Sequence, residues 1–287
     1  MTLAIKVKNL IKSYGQNTVI KGISFDVKKG EVFALLGTNG AGKTTTLECI
    51  EGLRKYEGGK ISINGSFGVQ LQSSSLPSNI KVIEAFTLFC KWNKSNIDLS
   101  LFESLGLSEI KSKQYCQLST GQKRRLHLAL GLLGSPDIIF LDEPTAGLDV
   151  EGRAALHEQI RKLKCSGKTI VLSSHDMAEI ESLCDRLAIL KDGRIAFIGT
   201  VIELTTQLHP IIKLQIKTDN PLRKADFIHS TYVETENDYY TFTTTNISDG
   251  LIELLTFLKS SSNPILDIRI SHQSLEESFL GIAKEGK

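Results

Sequence analysis

Two hydrophobic rhythms alternate over the first two hundred residues. Short apolar or alternating runs recur at 4–8, 22–27, 31–36, 59–63, 67–71, 137–141, 168–173, 186–190 and 194–198, the lengths and spacing of strands. Stretches with apolar residues three and four apart open near Thr44, Val82, Ser100, Thr120, Val150 and Met177 and predict helices. Strands alternating with helices predict an α/β fold. The runs Asp137–Asp142 and Lys168–Ser173 are almost continuously apolar, as parallel strands covered on both faces are. Lys191-Asp192-Gly193-Arg194 predicts a hairpin turn.

The pattern changes past Gly199-Thr200. A strand at 211–216, a short helix at 220–228 opening on Asn220-Pro221, a hairpin over 231–234 and 239–243, a helix at 248–260 and a strand at 265–270 make a βαββαβ series, consistent with a small ferredoxin-like module. Charge changes with it. Residues 1–199 carry 26 Lys and Arg against 20 Asp and Glu, and residues 200–287 carry 8 against 12. The main domain is therefore drawn at 1–205 and an α+β accessory module at 206–287.

Composition narrows the function. The chain has 287 residues, 41% of them apolar, enough for a packed core. No apolar run approaches the roughly 20 residues that cross a bilayer. Met1–Lys8 alternates like an edge strand rather than a secretory leader, so any work at a membrane requires spanning helices from another chain. A net charge of +2 argues against a dedicated nucleic-acid binder. Cys49, Cys90, Cys116, Cys165 and Cys184 show no C-x-x-C spacing, which points to reduced thiols rather than a metal or disulfide framework.

The chemistry begins at Gly37-Thr38-Asn39-Gly40-Ala41-Gly42-Lys43-Thr44, which fits G-x-x-x-x-G-K-[ST] at each fixed position. It follows an apolar strand and opens a helix, so loop N–H groups and a helix N-terminus face an anion together. Lys43 is the group to reach the β- and γ-phosphates of a nucleoside triphosphate, and the Thr44 hydroxyl the group to hold Mg²⁺. Ile138-Ile-Phe-Leu-Asp142-Glu143 is an apolar strand ending in two acids. Asp142 suits the Mg²⁺ shell, and Glu143 suits a general base on the water that attacks the γ-phosphorus. In Leu118-Ser119-Thr120-Gly121-Gln122, Ser119 is a good N-cap for a helix that continues through Leu133, and that N-terminus offers N–H groups to a phosphate.

These stretches together resemble the nucleotide-binding subunit of an ABC (ATP-binding cassette) transporter. Gly37–Thr44 resembles its Walker A, Leu118–Gln122 its signature motif and Ile138–Glu143 its Walker B. Tyr14 resembles the aromatic residue that stacks on adenine, a contact worth roughly 1–3 kcal/mol per base. Gln72 resembles the Q-loop glutamine, with Gln70 a competing position. Ala146-Gly147-Leu148-Asp149 resembles the D-loop, and Ser173-Ser174-His175 the switch histidine. Thr120 departs from the glycine most common at its place in the signature, and a β-branched residue there restricts the backbone.

The resemblance covers about residues 3–205 and implies a P-loop fold with a parallel core sheet, an antiparallel β subdomain and a helical subdomain. It implies that ATP is held by Tyr14, Gly37, Thr38, Asn39, Gly40, Ala41, Gly42, Lys43, Thr44 and Thr45 of one subunit. On this reading Ser119, Thr120, Gly121, Gln122 and Asp149 come from a second subunit, in a head-to-tail dimer of like or paralogous chains. Glu143, His175 and Gln72 are then the catalytic group, and Thr44, Gln72 and Asp142 the Mg²⁺ group. The implied partner is a separate membrane-spanning permease, with this chain peripheral at the cytoplasmic face. The overall pattern, with Ser274-Leu-Glu-Glu-Ser-Phe279 near the C-terminus, is similar to bacterial exporters of drugs, peptides or polysaccharides. Import, or a soluble ATPase acting on translation or DNA, are the competing readings. One Walker A, no zinc cysteines and no coiled-coil insertion weigh against the soluble one.

Overall fold

The computed structural model describes residues 2–70, 76–208, 212–222 and 225–272. It divides into two compact units, Met1–Val201 and Ile202–Lys287.

The first unit opens with two long strands, β1 (Leu3–Tyr14) and β2 (Asn17–Lys28). Both outrun the apolar segments expected at 4–8 and 22–27, because pairing continues through their polar ends across register shifts. At one of these, Asn9 takes φ +47° and its N–H donates to Ser24 Oγ at 2.8 Å. β3 (Val32–Leu36) leads into α1 (Lys43–Ile50), and β4 (Gly58–Ile63) pairs with the free side of β1. These outer strands form an antiparallel sheet in the order β2-β1-β4.

The larger sheet adds β5 (Phe67–Gln70), β6 (Ile138–Asp142), β7 (Thr169–Ser174), β8 (Arg186–Lys191) and β9 (Arg194–Gly199). Its order is β5-β6-β7-β3-β8-β9. The first five strands are parallel and β9 returns antiparallel. Every residue of β3, β6 and β7 is buried, which accounts for their unbroken apolar runs. Between the two sheets Phe25 stacks on Phe33 at 5.4 Å, with Leu47, Ile50 and Phe140 in the same core.

A helical layer lies between β5 and β6 in sequence: α2 (Val82–Trp92), α3 (Leu99–Ser104) and α4 (Thr120–Gly131). Phe86 and Phe102 pack edge to face at 5.0 Å between α2 and α3. α4 sits backbone against backbone on β5. A Cβ at Gly68 would fall 1.8 Å from the Gly131 carbonyl oxygen, so only glycine lets the two elements meet. α5 (Val150–Cys165) and α6 (Met177–Leu183) follow β6 and β7.

After α7 (Val201–Leu208), the second unit contains β10 (Ile212–Thr218), β11 (Thr231–Glu236), β12 (Tyr239–Thr244), α8 (Ile247–Ser260) and β13 (Ile265–His272). The antiparallel order β11-β12-β10-β13 is that of a split βαβ sheet. The short helix expected at 220–228 does not form among the described residues, which are irregular from 219 to 222 and from 225 to 230. Tertiary partners take its N–H groups instead. Leu222 N–H donates to Tyr240 Oη at 3.1 Å, and His229 N–H donates to Glu253 Oε2 at 3.0 Å. Phe227 is drawn inward between Phe242 and Phe257, 5.3 Å from each ring.

Candidate functional site

The glycine loop between β3 and α1 has two positions that only glycine fills well. Gly42 caps α1 at φ +104°, and a Cβ at Gly37 would fall 2.6 Å from the Leu190 carbonyl oxygen on β8. Ala41 N–H donates to the Thr38 carbonyl at 3.1 Å. Lys43 is buried and folds back over the loop, donating to the Gly37 carbonyl at 2.8 Å. Burial pulls its ammonium below the ordinary lysine range, while Glu143 and Asp142 hold it up.

Sheet order brings the distant acids to this loop. β7 lies between β6 and β3, so the ends of all three strands converge. Thr44 Oγ1 donates to Asp142 Oδ1 at 3.3 Å, and Ser173 Oγ donates to the same oxygen. Burial pushes the Asp142 carboxyl up and adjacent Glu143 adds to it, against hydrogen bonds from Ser173 and Thr44. Glu143 takes φ +44°, a left-handed conformation uncommon for a non-glycine residue. Its N–H donates to the Ser173 carbonyl at 3.2 Å and to Ser173 Oγ at 3.0 Å, which pins the strained residue. Glu143 Oε1 then lies 3.8 Å from Lys43 Nζ and 3.4 Å from His175 Nδ1. Lys43, Thr44, Asp142, Glu143 and His175 therefore form one cluster. Ser173 belongs with them as the residue that fixes both acids, a role the run Ser173-Ser174-His175 did not disclose. Such a contact depends on β6 and β7 being neighbours.

The two hydroxyls and the hard carboxylate oxygen of Asp142 fit a divalent cation such as Mg²⁺, whose preferred ligands are oxygens. Thr44 and Asp142 are the residues that would hold the ion.

A second group lies on the helix ends. Ser119 caps α4 in a capping box: its Oγ accepts from Gln122 N–H at 3.3 Å, and its N–H donates to Gln122 Oε1 at 3.1 Å. Thr120 is an ordinary first-turn residue, and its methyl would stand 3.6 Å from a Cβ on Gly147. Asp149 caps α5 through Gly152 N–H at 2.8 Å. Ser119–Gln122 and Gly147–Asp149 line one cavity of about 480 Å³. Below it, Tyr115 Oη meets His127 Nε2 at 3.0 Å. Burial, with Arg124 and Lys123 nearby, pushes His127 down to about 4. Lys123, Arg124 and Arg125 are half-buried, and Lys123 lies over the Tyr115 ring at 5.0 Å.

Tyr14 ends β1, half-exposed, with Lys12 Nζ 5.0 Å and the Arg54 guanidinium 5.6 Å from its ring. The β2 residue Val19 comes within contact of Gly42, its carbonyl oxygen 3.5 Å from where a Cβ would stand. Gln72 lies outside the described residues, as does Ser274–Phe279. Gln70 ends β5 opposite Leu141, buried, and its amide makes no hydrogen bond among the described residues.

A profile of the ABC transporter family matches residues 20–146. The chain is 33% identical over 236 residues to the linearmycin resistance ATP-binding protein of Bacillus subtilis, covering 75% of this chain and 76% of that one. It is 38% identical over 208 residues to a Nod factor export ATP-binding protein of Burkholderia orbicola, covering 66% and 68%. A solved structure of an ATP-binding subunit of an ABC transporter superposes with a TM-score of 0.65 at 30% identity, over 71% of this chain and 92% of that chain.

Proposed function

Because the chain belongs to the ABC transporter ATP-binding proteins, which bind and hydrolyse ATP, we propose that it powers an exporter whose membrane-spanning part is a separate chain. The observation that carries this reading is the convergence of Lys43 and His175 on one oxygen of Glu143. A base needs that arrangement: an acceptor oxygen at the end of a buried strand, next to the groups that bind phosphate.

On this reading Lys43 leaves the Gly37 carbonyl for the β- and γ-phosphates, and loop N–H groups hold the anion. Mg²⁺, when bound, neutralises charge on the phosphates. Glu143 accepts a proton from the attacking water, and His175 orients toward the γ-phosphate. Gln72 joins them from the segment between β5 and α2. Tyr14 offers its half-exposed ring to adenine. Ser119–Gln122 and Asp149 serve the nucleotide of a second subunit, so ATP joins two chains and its hydrolysis releases them, a population shift set by differential affinity.

Export is favoured by the two relatives named for resistance and export. Among the described residues no helix is long and apolar enough to cross a membrane; on this reading the permease is another chain, with this one peripheral at its cytoplasmic face. The helical layer is in keeping with the same reading: Leu88 and Trp92, one turn apart on α2, and Ile97 and Leu99 soon after them in the chain are 51%, 76%, 50% and 58% exposed, and exposed apolar side chains are what a docking surface presents.

Co-expression with a candidate membrane chain tests the proposal. The two should co-purify from membranes, and inside-out vesicles should accumulate cargo with ATP. Failure of the two chains to co-purify, or cargo movement in the opposite sense, would overturn the export reading.

A further inference from the structure

One buried carboxylate has no part in the phosphate chemistry. Glu179, on the first turns of α6, is 2% exposed. Ser174 Oγ donates to its Oε2 at 2.5 Å, and the same Oγ accepts from Asp176 N–H at 3.0 Å. The residues on either side of His175 are thus tied together, and both to Glu179. Asp176 is fixed from two further directions. Its Oδ1 caps α6 through Ala178 N–H at 3.0 Å, and its Oδ2 accepts from Arg153 at 3.2 Å. Arg153 also donates to the Leu148 carbonyl at 3.3 Å, next to Asp149.

Burial pushes the Glu179 carboxyl up, against the hydrogen bond from Ser174. His157 on α5 places Nε2 3.8 Å from Glu179 Oε1, and neither atom makes a hydrogen bond among the described residues. Burial, with Arg161 and Arg153 nearby, keeps His157 on the neutral side.

We propose that Glu179 is a positioning residue that locks the His175 loop through Ser174, while Arg153 ties that loop to the Leu148 carbonyl beside Asp149, so that displacement of one loop moves the other. Arg153 forms the outer half of this clasp and Glu179 the inner. A buried acid in this place is retained against its desolvation because it makes one unit of two loops that would otherwise move separately. Its consequence is that Asp149, which faces the second subunit, and His175, which faces the γ-phosphate of its own, respond together.

The inference rests on the reading of His175 given above, and a double-mutant cycle separates the two. With the full-length chain, Glu179→Ala should lower kcat by roughly 10²-fold, the scale of a 1 Å misplacement, while ATP affinity stays near the parent value. Combined with His175→Ala, it should add little further loss, because both act through one group. Glu179→Gln keeps an acceptor for Ser174 Oγ and should recover most of kcat; it is also the variant to use if the alanine form does not fold. Losses that multiply in the double variant, or a glutamine form as slow as the alanine form, would overturn the clasp. An unchanged rate in His175→Ala alone would instead sink the role of His175.

Discussion

The cradle around Lys43 and the face around Ser119 are built in opposite ways. The cradle is internal and cross-linked. Thr44 on α1, Asp142 on β6 and Ser173 on β7 share hydrogen bonds, and Glu143 is held in a left-handed conformation by two more from its N–H to Ser173. The face at Ser119 is local. Its capping box and the Asp149 cap satisfy the helix ends with residues three positions away, and the space above them is an open cavity. One half is preorganised by long-range contacts within this chain. The other is complete as structure but presents its chemistry outward, as a surface waiting for a partner does. Pre-set geometry suits catalysis, whereas a self-satisfied cap can exchange its bonds for those of a phosphate at little strain.

The contrast predicts where substitutions act. Lys43→Ala removes the ammonium beside Glu143 and Asp142, and should take nucleotide affinity below detection in a fluorescent-nucleotide titration. Retained affinity would place the phosphate contacts elsewhere. Glu143→Gln should leave that affinity intact and lower turnover by roughly 10²–10⁴-fold, the range for a general base. An unchanged rate in single-turnover measurements would remove Glu143 from that role. Ser119→Ala should act differently from both: about 1 kcal/mol of helix stability lost with the cap, unchanged ATP binding by one chain, and weaker ATP-driven dimerisation in light scattering. If binding by the lone chain falls as well, the two halves are not separate.

Acidity gives the smallest effect and the sharpest contrast. His127, beneath the signature face, is pushed down to about 4 from 6.5. The unfolded chain therefore binds the proton first, and this contribution to stability is present above pH 6.5 and lost as pH falls toward 4. Glu51, at the end of α1 behind the cradle, is pushed up to about 7 from 4.5, chiefly by burial and then by Asp142 and Glu48. Its contribution has the opposite sign, present below pH 4.5 and lost as pH rises through 7. Relative to the parent, His127→Leu should gain melting temperature on the acid side and Glu51→Gln on the alkaline side. Parallel pH profiles for the parent and both variants would show that neither group titrates with folding.

The elements were legible wherever a short window carries the cause. The loop at Gly37–Thr44, the cap at Ser119 and the buried strands at 138–142 and 169–174 follow from glycine conformations, side-chain acceptors and unbroken apolar runs. The helix expected at 220–228 failed because its N–H groups found Tyr240 and Glu253, residues that local periodicity does not weigh. The lengths of β1 and β2 were missed for a similar reason, since pairing extended strands past their apolar segments.

The motifs by themselves thus determined that the chain handles a nucleoside triphosphate, because each motif is a local solution to holding phosphate. Only the tertiary structure decided which residues work together. Sheet order sets β6 and β7 beside β3, and that order brings Ser173 to Asp142 and His175 to Glu143. Hydrogen bonds and ion pairs act over a few ångströms, and residues that far apart in the chain come within that reach only once the sheet has assembled.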